Sequence, residues 1–264
     1  MSSMPYAKKS LGQHWLTDAA SLEAICDAAA VVRGDVVLEI GPGTGELTAK
    51  LLERGAEVTA LEIDVSLKPG LEKRFAKYNS TEFYFQEGDI RTYDLSNMPD
   101  NYKIVANIPY YLSAYLLRLL TESLHKPKRA ALLLQKEVAE RVAAEPGDMS
   151  VISVASQLFY EVYKGWIVPA KLFTPAPKVD SRVLILQRRE KPLFDIYDHK
   201  AFFRIVKSGF SARRKTLLNS LSGGLRLDKP VTEKWLIDAG VNPADRPQDL
   251  SIADWHRLYR QQLL

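Results

Sequence analysis

The chain has 264 residues with 46% apolar and 26% charged side chains, an ordinary balance for a globular protein with a sizeable core. Cys26 is the single cysteine, which excludes an internal disulfide and argues against a cysteine-built zinc site, and the four histidines are scattered, so no metal is expected. No apolar run nears the roughly 20 residues that span a bilayer, and Met1-Ser2-Ser3-Met4-Pro5-Tyr6 carries no apolar core of a secretory signal, so a cytoplasmic location is expected.

The formal charge of +4 is unevenly spread. Residues 31–106 carry nine Lys/Arg against thirteen Asp/Glu, whereas 188–230 carry eleven against four. Such asymmetry fits a polyanionic partner at one part of the molecule, or else a solvated basic face.

In chain order, Val36-Val37-Leu38-Glu39-Ile40 reads as a buried parallel strand ending at Gly41. Leu47, Leu51 and Leu52 then recur at helical spacing over Glu46–Arg54. Further strands are expected at Glu57–Glu62, Phe83–Phe85, Lys103–Ala106 and Ala130–Gln135, with a helix over Leu112–Leu124. This alternation predicts an α/β fold, a Rossmann-like sheet with helices on both faces. Leu158–Val168 and Ser181–Gln187 alternate as strands and should close one edge in antiparallel fashion. Beyond Pro192 the texture turns helical, at 199–209, 213–221, 231–239 and 251–263. The expected organisation is a catalytic domain over 1–191 and a small all-α domain over 192–264.

Gly41-Pro42-Gly43-Thr44-Gly45 lies between the first strand and the first helix, where glycines permit a tight turn and close approach of a ligand. Alone it suits a dinucleotide, a sulfonium nucleoside or a plain turn. Glu62 ends the next strand at the spacing where an acidic residue meets ribose hydroxyls, though it also suits a solvated strand-end carboxylate; Asp89 follows the third strand and could accept from an adenine amino group, while alone it reads as an ordinary turn Asp. Three such positions at successive strand ends predict a nucleoside cofactor.

Asn107-Ile108-Pro109-Tyr110 follows the fourth strand. An adenine amino nitrogen is a poor nucleophile because its lone pair is delocalised into the ring. Acceptors for both of its N–H groups would localise that pair, and the Asn107 amide oxygen and the Ile108 carbonyl are suitable. Pro109 restrains the Ile108 backbone so that its carbonyl is aimed, and the Tyr110 ring can stack on a base. Read by itself, the tetrapeptide also suits a turn after a strand.

The ordered motifs resemble the ribosomal RNA adenine dimethyltransferase family over nearly the whole chain, most closely its bacterial small-subunit members. They are Leu11-Gly12-Gln13-His14-Trp15-Leu16, Glu39-Ile40-Gly41-Pro42-Gly43-Thr44-Gly45, Leu61-Glu62-Ile63-Asp64, Gly88-Asp89, Asn107-Ile108-Pro109-Tyr110, Gln135–Arg141, Phe173–Ser181 and Arg213-Arg214-Lys215-Thr216-Leu217. The resemblance implies S-adenosylmethionine as methyl donor, held by His14, Leu16, Gly41, Gly43, Glu62, Asp89, Ile90 and Asn107. It implies that Tyr110 and Phe173 sandwich the target base beside Asn107, Ile108 and Pro109.

The substrate so implied is a pair of adjacent adenosines in a hairpin loop near the 3′ end of 16S rRNA, in the small ribosomal subunit or its precursor. Arg204, Lys207, Arg213, Arg214 and Lys215 would contact phosphates, and a monomer is expected. Ile108 stands where the family more often has Leu, and the 145–150 loop is shorter than usual. Other readings stay open: a 23S rRNA methyltransferase conferring antibiotic resistance, a non-catalytic RNA-binding assembly factor, and a nicotinamide-dependent dehydrogenase.

Overall fold

Short β-branched runs form a central sheet, and the segments with helical periodicity form the helices between its strands. The computed structural model describes residues 7–262. The first part of the chain forms β1 (Trp15–Leu16), α1 (Ala19–Ala28), β2 (Val36–Ile40), α2 (Glu46–Glu53), β3 (Glu57–Glu62), α3 (Lys68–Arg74), β4 (Phe83–Glu87), β5 (Lys103–Asn107), α4 (Ser113–Glu122) and β6 (Arg129–Gln135). There follow α5 (Lys136–Val142), α6 (Val151–Phe159), β7 (Tyr160–Val168), β8 (Phe173–Thr174), β9 (Ser181–Arg188), α7 (His199–Gly209), α8 (Leu217–Leu225), α9 (Lys229–Asp238) and α10 (Ile252–Gln262).

Seven strands form one sheet in the order β4-β3-β2-β5-β6-β9-β7. β2 pairs in parallel with both β3 and β5, β3 with β4, and β5 with β6; β9 runs antiparallel to β6. The chain therefore steps one way from β2 to β4 and the other way from β5 to β6. That reversal opens a crevice at the carboxyl ends of the strands, where open α/β sheets bind ligands. β1 and β8 make a separate antiparallel pair.

Two expected elements shift. Leu158 does not begin a strand: α6 runs to Phe159, started by a capping box in which the Ser150 and Ser153 side chains each bond the other's backbone N–H. The helix expected at 213–221 is Leu217–Leu225, because Thr216 is its N-cap and accepts from the Asn219 N–H. Arg213, Arg214 and Lys215 consequently sit in the turn ahead of α8. Of the last expected helix, 251–263, residue 263 lies outside the described residues.

The chain divides into two compact units, one of residues up to Ala139 with Glu161–Arg188, the other of Glu140–Tyr160 with Arg189–Leu264. The second unit thus takes in a segment well before the boundary expected near 192. Its core explains why. Met149, Val154 and Leu158 pack with Phe202, Leu221, Leu236 and Trp255 in one buried cluster, so α6 contributes an apolar face to the helical unit. The short 145–150 loop is tied down there by Gly147 and Met149, whose N–H groups both donate to the Gln248 carbonyl.

In the first unit, Glu39 on β2 is 1% exposed. Neither of its oxygens has a well-formed hydrogen bond, although the nearby Thr48 hydroxyl favours the ionised form. Burial pushes its pKa from 4.5 up to about 8. The folded state then binds this proton more tightly than the unfolded chain. The stability it contributes is complete below about 4.5 and is lost as the pH rises through about 8. Glu39→Gln removes the titration. We predict that, in urea unfolding, the variant gains on the wild type as pH rises from about 5 to about 8; a difference constant across that window would contradict the assignment.

Candidate active site

The crevice at the strand ends holds about 1020 Å³ of space, open solvent included. His14, Leu16, Gly41, Gly43, Glu62, Asp89, Ile90, Asn107, Ile108, Pro109, Tyr110 and Phe173 all line it. Residues from six stretches of sequence meet there: β2, β3, β4 and β5 end at one level, and the pairing of β1 with β8 brings in the other two. Gly41 donates its N–H to the Leu61 carbonyl at 2.9 Å and Gly88 to the Glu62 carbonyl at 2.9 Å, which extends the ladders up to the pocket floor.

Glu62 is 6% exposed. Burial raises its pKa, while the backbone N–H groups of Asp64 (2.8 Å) and Gly43 (3.4 Å) donate to its two oxygens and moderate the rise. Gly43 has a φ of +57°, and a Cβ built there would lie 2.6 Å from the Trp15 ring. The loop thus needs glycine both for its conformation and for the approach of Trp15.

The N-terminal segment is fastened over this floor. Asp64 is 5% exposed and accepts from Lys8 Nζ at 2.6 Å, Ser66 Oγ at 2.5 Å and Gln13 Nε2 at 3.1 Å. Burial alone would raise its pKa; these donors hold it at about 2. Further along, Trp15 pairs with Thr174 and Leu16 with Phe173. His14 Nδ1 lies 2.6 Å from the Pro175 carbonyl oxygen, to which it donates, and the Thr174-Pro175 peptide is cis. The His14 ring lies nearly parallel to that of Tyr110, centroids 6.0 Å apart.

Tyr110 is fixed at its other end by a hydrogen bond between its hydroxyl and Ser181 Oγ at 2.8 Å, and burial raises its pKa. Pro109 adopts φ −55° and ψ 136°, so the chain leaves β5 extended before turning into α4. Phe173 lines the pocket but is 4% exposed and belongs to the same buried cluster as Trp15 and Leu16.

Sequence reasoning missed Lys8 and, although Asp64 and Ser181 stand within the ordered motifs, the roles of both, which come from partners distant in the chain. It also missed Arg91. Arg91 Nε donates to Asp89 Oδ2 at 2.8 Å and its N–H to Oδ1 at 2.9 Å, which lowers the Asp89 pKa. A basic residue two positions after an acidic one at a strand end was the available signal. Arg204, Lys207, Arg213, Arg214 and Lys215 are outside this pocket: all belong to the second unit and are exposed.

Two solved structures share this architecture along the chain. A dimethyladenosine transferase from Plasmodium falciparum superposes with a TM-score of 0.78 at 29% identity, covering 93% of this chain and 96% of that one. The 23S rRNA methyltransferase ErmE gives 0.76 at 26% identity, covering 95% and 100%. Fold and pocket together define a Rossmann-like methyltransferase.

At sequence level, the ribosomal RNA adenine dimethylase profile matches residues 4–262. Ribosomal RNA small subunit methyltransferase A of Lactococcus lactis is 41% identical over 263 residues, 95% of this chain and 88% of that protein. Its namesake in Dehalococcoides mccartyi is 36% identical, over 96% and 87%. The chain belongs to the ribosomal RNA adenine dimethylase family.

Proposed function

We propose that the chain transfers methyl groups from S-adenosylmethionine to the N6 amino groups of two adjacent adenosines in a hairpin loop near the 3′ end of 16S rRNA, giving N6,N6-dimethyladenosine during small-subunit assembly. The observation that carries this reading is that one pocket is lined both by the nucleoside-binding carboxylates, Glu62 and Asp89, and by Asn107-Ile108-Pro109-Tyr110. The small subunit is favoured over the large one because the relatives named for it are closer in sequence than the 23S enzyme.

The pocket fits the cofactor chemically. Glu62 can accept from the two ribose hydroxyls, since each oxygen keeps a lone pair beyond its backbone bond. Asp89, with acceptor capacity left beside Arg91, takes the cofactor's adenine amino group. Gly41 and Gly43 allow close approach of the chain, and His14, Leu16 and Ile90 complete the enclosure. When bound, S-adenosylmethionine supplies a methyl already activated by its sulfonium.

The remaining work is positioning. Asn107 Oδ1 and the Ile108 carbonyl accept from the two N–H groups of the target adenine, which draws its nitrogen towards tetrahedral geometry and directs its lone pair. Pro109 restrains the backbone that aims the carbonyl. Tyr110 and Phe173 are the rings we assign to the faces of the base. Methylation sharply acidifies the amino group, so its proton passes to water and the chain needs no strong general base. Loop bases cost little to unstack, which suits a hairpin substrate.

In the helical unit, Arg204 and Lys207 stand three residues apart on α7, and Arg213-Arg214-Lys215 occupy the turn before α8. We assign them to rRNA phosphates, contacts that position an RNA without reading its sequence.

Two measurements test these roles. Asn107→Ala should lower kcat by on the order of 100-fold, the scale of losing one transition-state acceptor, while the dissociation constant of S-adenosylmethionine changes only a few-fold by calorimetry. Equal losses in both would contradict the acceptor role. Arg213→Ala combined with Lys215→Ala should weaken rRNA binding and reduce the salt slope by about two phosphate contacts; an unaltered slope would remove these residues from the interface.

A further inference from the structure

A stripe of side chains leads away from the pocket mouth that neither the cofactor nor the target base accounts for. Tyr111 lines the pocket and yet is 57% exposed. Tyr115 and Arg118 follow at i+4 and i+7, which puts all three on one face of the turn into α4. Leu116, Leu117 and Leu120 occupy the opposite, buried face. The stripe spans about 10 Å along the helix axis.

Its members are held in place. Gly12 closes one side of Tyr111: with φ at +62°, a Cβ built there would stand 3.5 Å from two ring carbons. The Arg118 guanidinium lies over the Tyr115 ring, 5.6 Å from its centroid. Tyr115 donates its hydroxyl to the Arg91 carbonyl at 2.9 Å. The Arg91 guanidinium is anchored by Asp89.

A water-exposed ring, packed on one side by Gly12 and sharing its helix face with Tyr115 and Arg118, with Arg91 joined to that face through the Tyr115 hydroxyl, suits a nucleobase and the phosphates on either side of it. Base–aromatic stacking supplies the affinity, and planar guanidinium groups match phosphate oxygens. The position of the ring, one residue beyond Tyr110, limits which nucleobase reaches it. We propose that Tyr111, with Arg91 and Arg118, forms a second nucleobase subsite that stacks the nucleotide adjoining the target adenosine of the RNA acceptor. The proposal rests on the reading of the chain as an RNA adenine methyltransferase. It gives the neighbouring base a place of its own while the target base is held in the pocket.

The test uses the full chain with unmethylated small subunits, and with a hairpin RNA carrying 2-aminopurine beside the target adenosine. Tyr111→Ala should raise KM for the subunits by about 5- to 150-fold, the factor carried by one lost stack, with kcat changed far less and S-adenosylmethionine affinity intact. Tyr111→Trp should restore KM. Wild type and Tyr111→Trp should quench the 2-aminopurine fluorescence, and Tyr111→Ala should not. Arg118→Glu should raise KM more at low salt than at high salt. An unchanged KM in Tyr111→Ala, or quenching that persists in it, would overturn the subsite while leaving the methyltransferase reading intact. Failure of the wild type to methylate any RNA would instead overturn that reading and the subsite with it.

Discussion

The pairing of β1 with β8 is the constraint on which the pocket depends. Two residue pairs, Trp15 with Thr174 and Leu16 with Phe173, join segments from opposite ends of the first unit. Through them the N-terminal segment that carries His14 and the Pro-rich segment that carries Phe173 reach the same crevice as the parallel strand ends. A sheet of parallel strands by itself offers only an open ledge at its carboxyl edge. Here that ledge gains a wall, secured by the His14–Pro175 hydrogen bond on one side and by Lys8 and Gln13 on Asp64 on the other. The tight seat of Trp15 against Gly43 ties this wall directly to the glycine loop.

Glu62 and Asp89 in the pocket and Asp64 beside it are held in different electrostatic states, and their surroundings explain why. Asp64 is buried but surrounded by donors, so it stays ionised and serves as an anchor. Glu62 is buried with backbone N–H groups as its donors, which leaves it acceptor capacity towards the cavity but a raised pKa. Asp89 is stabilised as an anion by Arg91. These differences suit a site whose proposed task is to bind and orient through hydrogen bonds.

Much of this was legible in the amino-acid order because the parallel strands are self-declaring. Val36–Ile40, Glu57–Glu62 and Lys103–Asn107 are short β-branched or apolar runs bounded by turn residues, and each is followed by a residue that lines the pocket. Local rules failed where nonlocal packing decided the outcome. Leu158 belongs to an alternating stretch, but the Ser150–Ser153 capping box and the apolar core of the helical unit keep it on α6. The start of α8 moved because Thr216 is a better cap than any residue at 212. The partners of Lys8, Asp64, Arg91 and Ser181 went unnoticed since no periodicity or spacing reveals a partner fifty or more residues away, or, for Arg91, a partner across a turn. Phe173, by contrast, was placed in the pocket by its motif, while its burial among Trp15 and Leu16 emerged only from the fold.

The central claim is that the pocket turns an adenine amino group of small-subunit rRNA towards an activated methyl. Mass spectrometry of 16S rRNA from cells lacking this chain, and from the same cells with it restored, tests that most directly. The account predicts two neighbouring N6,N6-dimethyladenosines that disappear without the chain and return with it. Identical modification in both samples, or a loss confined to 23S rRNA, would contradict it.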